Sequence, residues 1–471
     1  MKTRYSSFYF LLFSLVVGLA ACRVGRNYER PPVALPQQFG TVAPSDSSIA
    51  EIEWKKFFTD ATLQQLIDKA VTGNYDLQLA VKRVESAQAY LKQAKLAWLP
   101  AFNATASAST NFPSKNSFTG LNLSANNLGD HLEDFNLGVG MSWEIDIWGK
   151  IRRQKEAALA TYLQSYEGAH AVQTGLVAAV ANSYFNLLML DNQLSIARRN
   201  LELSDTIVKM IRLQKAAGEV TELGVQQAIS QQQTAELLVP QLEQGIAIQE
   251  NALRILTGEL PSTITRSSTL ATFQVADALP TGIPANMISR RPDVRASEMG
   301  LVAANALVGA AQGNMYPTLT ITGSGGVNAF KASTWFNLPA SLFGTVAGGL
   351  TQPIFQRRAL KTQLEVAKIQ REQAVIQFKQ SALNAVGEVS DALVKLDKVK
   401  TQQEIAIRQV NTSQLAVQQA QLLFRSGMAN YLEVITAQGR SLQAELAKAD
   451  IDRQRLTAMV DLYRSLGGGW K

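Results

Sequence analysis

From residue 135 to 147 the chain reads Phe-Asn-Leu-Gly-Val-Gly-Met-Ser-Trp-Glu-Ile-Asp-Ile, with a large apolar residue at every odd position and a polar residue or glycine at every even one. Strict period two predicts a strand with one apolar and one wet face. Three other segments share the pattern. Residues 102–110 place Phe102, Ala104, Ala106 and Ala108 on one face, 318–322 alternate around Leu319 and Ile321, and 342–355 put Leu342, Val346, Leu350 and Ile354 together among glycines. A strand crossing a bilayer needs about 9–11 residues with lipid on one side and water on the other. A half-buried strand of a soluble sheet alternates in the same way, and it is the recurrence over four segments that favours a barrel. Trp143, Trp148, Tyr316 and Phe355 lie near strand ends, where interfacial aromatics are expected. The polar stretches 111–134 and 324–341 suit loops outside the cell.

Elsewhere the period changes. No proline occurs in 114–239 or 354–471, so long helices are permitted there. Residues 150–215 and 358–425 are rich in Ala, Gln, Leu, Lys, Arg and Glu, all good helix formers. In the first, Leu187, Leu190, Leu194, Ala197, Leu201, Ser204, Val208 and Ile211 follow 3-4 spacing. In the second, Val386, Val389, Leu393, Leu396, Ile407, Val410, Val417 and Phe424 share one heptad frame, interrupted by Lys400, Gln403, Gln414 and Gln421. Both read as coiled-coil-like seams. At about 1.5 Å per residue each helix would be roughly 100 Å long. Pro240 should kink or break the returning helix.

The order of elements repeats. Residues 74–102 align with 291–319 at an offset of 217, matching Ala94 with Ala311 and Pro100 with Pro317. Ile147-Trp148 matches Ile354-Phe355 at 207, and Gly218 and Leu223 match Gly427 and Leu432 at 209. Each half therefore reads helix, strand, loop, strand, long helix, turn, returning helix, giving four strands per chain. Four strands cannot close a barrel, and an open edge in lipid leaves unpaired N–H and C=O groups. Membrane strands therefore require several copies. A dimer's eight strands enclose only side chains, whereas twelve can leave a lumen, and the long helices favour the larger ring.

The start of the chain bears on compartment. Lys2 and Arg4 precede a short apolar run, Phe8 to Leu19, which reads as a signal peptide over 1–21. The sequence Leu19-Ala20-Ala21-Cys22 resembles a lipoprotein lipobox, with Cys22 lipidated; Arg23 rather than Asp follows, which resembles an outer-membrane address. Removing 1–21 takes away two basic residues and no acidic one, so the net charge falls from +7 to +5. Basic residues are scattered with no long run, which does not point to nucleic acid. Of 471 residues 46% are hydrophobic, enough for a folded core. Cys22, His131 and His170 are the only Cys and His residues, which excludes ordinary zinc, disulfide and iron–sulfur frameworks. No G-x-S-x-G, Walker, H-E-x-x-H or dinucleotide motif occurs, so nothing suggests an enzyme. Glu144 and Asp146 form a carboxylate pair, which alternation assigns to one lumenal strand face.

Taken together, these features resemble the outer membrane factor family, the TolC- and OprM-like exit ducts of tripartite efflux pumps. The likeness is greatest to the lipoprotein branch serving resistance–nodulation–division (RND) pumps. It rests on Cys22-Arg23-Val24-Gly25 with Tyr28 and Pro31, and on Trp54, Phe57, Leu63, Asn74, Asp76, Leu77, Ala80 and Arg83. Most diagnostic is the run Arg290-Arg291-Pro292-Asp293-Val294-Arg295, Glu298, Ala304-Asn305-Ala306, Gly309, Ala310-Ala311 and Tyr316-Pro317. Arg26 stands where proline is usual.

The resemblance implies a mainly α fold with a transmembrane β-barrel. A homotrimer would carry a 12-stranded barrel through the bacterial outer membrane and a periplasmic tube of long helices, with no cofactor. The parts would be signal peptide 1–21, lipidated and equatorial segment 22–73, first repeat 74–290 and second repeat 291–471. Strands are expected near 102–112, 135–147, 318–324 and 342–355, and hairpin tips at 214–223 and 424–432. A mixed equatorial region would draw on 30–70, 257–290 and 460–471. The tip residues Gly218, Glu219, Leu223, Arg425, Ser426 and Gly427 would meet a periplasmic adaptor, itself coupled to an inner-membrane pump. Leu432 matches a constricting leucine; the carboxylate expected four residues on is Thr436, so Glu433 is the remaining candidate for an acidic gate. The expected work is passive efflux of drugs or other small molecules. Alternatives are a type I secretion or metal-efflux duct, or an ungated porin.

Overall fold

The structure, a computed structural model, describes residues 24–33, 36, 38, 48–126, 129–273, 280–282 and 289–471. The signal peptide, Cys22 and parts of the equatorial segments therefore lie outside the described residues. The chain divides into two compact units.

The first unit comprises residues up to Pro31, Glu85–Leu163 and Glu298–Ile376. At its centre is an antiparallel sheet in the order β1 (Ala101–Asn111), β2 (Leu132–Ile145), β3 (Thr318–Ala329), β4 (Leu342–Thr351). The register matters more than the count. Ala104 pairs with Val139, Val139 with Gly325, and Gly325 with Gly344; Phe102, Met141, Gly323 and Val346 form another row. The alternating apolar positions of the four strands thus share one face, while Asn103, Ser107, Ser142, Thr320, Thr322, Ser324 and Thr345 fall on the other together with Ala101, Leu132, Phe343 and Ala347. A slip of one residue in any pair would break this agreement. The apolar face is uncovered in the single chain, with Val346 86% exposed.

Where strand ends depart from the sequence expectation, three have a visible reason. β3 runs on to Ala329, because Gly325 and Gly326 permit pairing rather than break it. A Cβ on Gly326 would lie 2.2 Å from the Leu137 carbonyl oxygen, and one on Gly138 would lie 3.2 Å from the Phe343 ring. β4 stops at Thr351, before Pro353, which has no N–H to donate. β2 stops at Ile145, so Asp146 is not a lumenal strand residue. Its carboxylate instead accepts from the Ile151 and Arg152 amides at 3.0 and 2.9 Å, satisfying the first turn of the following helix. Glu144 pairs with Lys150.

The first unit also holds the ends of four helices: α3 (Tyr75–Leu96), α5 (Lys150–Ala216), α7 (Pro292–Gly313) and α8 (Ala359–Arg425). The diagnostic run on α7 has a visible task here, which is to hold the segment 24–30. Glu298 takes two bonds of 2.7 Å from Arg30 and one of 2.9 Å from Tyr28. Asn305 donates to the Arg26 carbonyl, so arginine at this position keeps a backbone contact that any residue can make. Gly309 leaves room for Gly25, where a Cβ would come within 2.7 Å.

The second unit comprises Pro32–Val84, Gln164–Ser297 and Gln377–Lys471. It holds α1 (Trp54–Phe57), α2 (Ala61–Gly73), α6 (Glu222–Leu256), α9 (Tyr431–Ser465) and the remainders of α3, α5, α7 and α8. The small helix α4 (Phe118–Ala125) belongs to the first unit. Both α5 and α8 run 67 residues and both α6 and α9 run 35. α6 passes Pro240 without interruption, the ring lying on its exposed side. The α5 seam is buried or half-buried at all its positions. The α8 frame is buried at Val389, Val410 and Phe424 but slips between them: Ala392, Val399 and Ala406 are each 4% exposed, whereas Ile407 is 41% exposed. A strict seven-residue frame drifts by about 20° per heptad on a straight helix, so the contact line moves onto the small neighbours. Tyr184, Phe185, Phe378 and Tyr463 are among this unit's most deeply buried large side chains, all nearly inaccessible. Arg291 is buried there as a hub, bonded to Asp293, Glu388 and the Ser465 carbonyl.

Candidate functional site

The hairpin turns of the second unit hold most of the candidate residues. α5 ends at Ala216, and Gly218 follows with φ +81°. Its N–H bonds Lys215 O and the Glu219 N–H reaches back to Gln214 O, both at 2.9 Å. This closes the helix in the left-handed way that glycine accepts at little cost. Glu222 opens α6 and pairs with Lys215, which holds its carboxyl below the usual range. The second turn is built alike. Gly427 has φ +74°, Met428 N–H bonds Leu423 O at 2.9 Å, and the Asn430 side chain caps α9 through the Leu432 and Glu433 amides.

One small core joins the two turns. Ile207, Val208 and Ile211 of α5, Val225 and Ala228 of α6, Phe424 of α8 and Val434 of α9 bury one another. At its edge the Tyr431 ring lies against Gly224, where a Cβ would sit 3.0 Å from the ring and 2.6 Å from Val220. The Tyr431 hydroxyl donates to Gln227 at 2.6 Å. Sequence reading missed Gly224, Gln227 and Tyr431. The available signal was a glycine in a first helical turn, adjoining Val225, which matches Val434 at the 209 offset.

The candidate tip and gate residues separate into two places. Leu432, Glu433 and Thr436 share a groove of about 1000 Å³ between α8 and α9, and Arg408 and Arg440 line the same groove. Glu219 and Gly427 line a smaller hollow of about 480 Å³ with Thr221 and Tyr431. Arg425, Ser426 and Leu223 are exposed, the Ser426 hydroxyl being returned to Leu423 O at 3.0 Å. Glu433 therefore stands in a groove that also presents two guanidinium groups. Thr436 contributes no charge.

Neither histidine forms part of such a site. His170 stacks on Trp470 at 4.7 Å, and burial followed by the nearby Arg295 lowers its pKa. His131 lies beside Asp130, whose carboxylate raises its pKa. Among the described residues no group of three or more His, Cys, Asp or Glu could hold a metal ion. No helix among them is long and apolar enough to cross a membrane.

A family model described as outer membrane efflux protein matches residues 66–259 and 283–468. The outer membrane protein OprJ of Pseudomonas aeruginosa is 31% identical over 469 residues, covering 98% of this chain and 95% of that one. The cation efflux system protein CusC of Escherichia coli is 29% identical over 472 residues, covering 98% of each. The structure of the outer-membrane channel OprN superposes with a TM-score of 0.87 at 28% identity, covering 95% of this chain and all of that one.

Proposed function

Because the chain belongs to the outer membrane efflux protein family, we propose that three copies form a passive, gated exit duct of a tripartite pump. The protein is an outer-membrane efflux channel. The observation that carries it is the register of the sheet: four strands with one common apolar face and two unpaired edges. Such a sheet is stable in lipid only when copies seal it. Twelve strands leave a lumen that eight do not. The matched helix lengths in the two halves support a twofold repeat, so the ring would approach sixfold regularity. The helical hairpins would line a periplasmic duct, and acyl chains on Cys22 would add an anchor.

In this reading the turns bearing Gly218, Glu219, Leu223, Arg425, Ser426 and Gly427 meet a periplasmic adaptor. The adaptor connects the duct to an inner-membrane pump of RND type, where energy enters. Leu432, Glu433 and Thr436 form the constriction. Adaptor contacts that favour the open arrangement shift the population toward it. The Arg408 and Arg440 side chains in the same groove offset the acidic character that Glu433 alone would give.

Gentle purification from native membranes, followed by mass spectrometry, tests the assignment. A periplasmic adaptor and a proton-driven pump should accompany the trimer; an export ATPase in their place would move the protein to secretion. The likeness to a cation efflux protein makes metal cargo the second reading, distinguished by which pump co-purifies. Gating is tested in planar bilayers. The purified trimer should conduct little, and Leu432→Gly should raise the basal conductance severalfold, whereas a wide pore in the unsubstituted protein would refute the closed constriction.

A further inference from the structure

The two halves of the first unit treat matching segments differently. After β2, Ile147-Trp148 leads through Gly149, at φ +78°, into α5. Trp148 is held within its own chain. Its ring stacks on Tyr316 at 4.9 Å and 29°, and its indole N–H donates to the Pro317 carbonyl at 2.7 Å. After β4 the matching pair, Ile354-Phe355, is 96% and 84% exposed. Three residues rather than one then lead into α8, and two of them, Arg357 and Arg358, have φ +48° and +67°. That left-handed backbone is unfavourable for residues with a Cβ and persists where surroundings impose it.

The surface that would cover Phe355 can be found from the chain itself. Tyr316-Pro317, which receives Trp148, matches Leu99-Pro100 at the 217 offset. Leu99 is 43% exposed and its neighbour Trp98 is 59% exposed. We propose that Ile354-Phe355 of one copy docks on Trp98-Leu99-Pro100 of the next copy, repeating between copies the contact that Trp148 makes on Tyr316-Pro317 within one. The proposal rests on the ring of copies described above and adds the residues at its seam.

Strand parity provides an independent check. Extending the β2–β3 register from Ile145 opposite Leu319 by three steps brings Trp148 opposite Tyr316. The matching construction sets Phe355 opposite Leu99, Leu350 opposite Ala104 and Val346 opposite Ala108. Leu350 and Val346 lie on the apolar face of β4, and Ala104 and Ala108 lie on the apolar face of β1. The lipid-facing surface therefore continues across the junction without inversion, as a closed wall needs. A slip of one position would set those leucine and valine side chains against the polar row of β1. The seam also lies at the helix-proximal strand ends, where exposed aromatics suit an interface.

Thiol cross-linking tests the contact. The Phe355→Cys, Leu99→Cys double variant is treated in outer membranes with a short bismaleimide and resolved on denaturing gels. Most of the chain should move into dimer and trimer bands. Each single variant, and Phe355→Cys combined with Tyr90→Cys two helical turns away on α3, should remain monomeric. Native mass spectrometry of the same samples separates the two levels of failure. A trimer without cross-links overturns the seam, including the case in which lipid occupies the hollow of about 660 Å³ beside Phe355. Absence of a trimer in the unsubstituted protein overturns the ring and the seam with it. A second pair of variants guards against misassembly. Phe355→Ala should lower the temperature at which the trimer dissociates, and Phe355→Trp should hold it; equal dissociation temperatures count against the contact.

Discussion

Arginine in place of Val139 should abolish assembly in the outer membrane. Val139 stands midway along β2, between Ala104 and Gly325, on the face shared by the alternating apolar positions of the sheet. A lipid-facing arginine near the midplane costs about 2–4 kcal/mol, and three copies multiply that to roughly 6–12 kcal/mol, comparable with the whole stability of many domains. Lysine at Thr322, on the opposite face of β3, should be tolerated, because that face is wet. The measurement is the amount of heat-dissociable trimer in purified outer membranes. Equal loss for both substitutions would mean that the two faces do not differ in solvent, and the membrane placement of the sheet would fail.

Leucine in place of Gly224 should open the duct. The first added carbon would meet Val220 at 2.6 Å and the Tyr431 ring at 3.0 Å, so both side chains must give way and the larger leucine presses the two turns apart. Overpacking of this kind costs about 1–3 kcal/mol per site. Summed over three copies, about 3–9 kcal/mol spans the roughly 5.5 kcal/mol that converts a 1:99 equilibrium to 99:1. Tyr431→Phe removes only the bond to Gln227 and should act less, as one hydrogen bond contributes about 1 kcal/mol. Single-channel recording reads the result. An intact Gly224→Leu trimer with unchanged basal conductance would show that the junction of the two turns does not hold the closed state.

Which parts of this were legible in the sequence follows from the range of the interactions involved. The long helices could be read because helix formation depends on nearby residues and on the absence of proline, and both are written along 150–215 and 358–425. The turns could be read because Gly218 and Gly427 occupy a backbone region that glycine alone enters freely. The frame of α8 holds at Val389, Val410 and Phe424 but shifts by one residue between them, where a repeat count cannot see what brings Ala392, Val399 and Ala406 inward. Gly325 and Gly326 fell in a stretch read as loop, but they pair with Val139 and Gly138, nearly two hundred residues away, and Gly326 is a close-approach position against Leu137 and Gly138.

The sequence alone determined periodicity, helix length, the positions of reversal and the family likeness carried by the run from Arg290 to Pro317. Tertiary structure decided what those residues face: Glu298 and Asn305 on the amino-terminal segment, Asp146 on a helix end, Tyr431 on Gly224, and four apolar strand faces on a single side. The physical reason is that local pattern fixes the shape of each element through its own backbone and neighbours. Which element meets which depends on contacts between residues far apart in the chain, and those are fixed only when the surfaces pack.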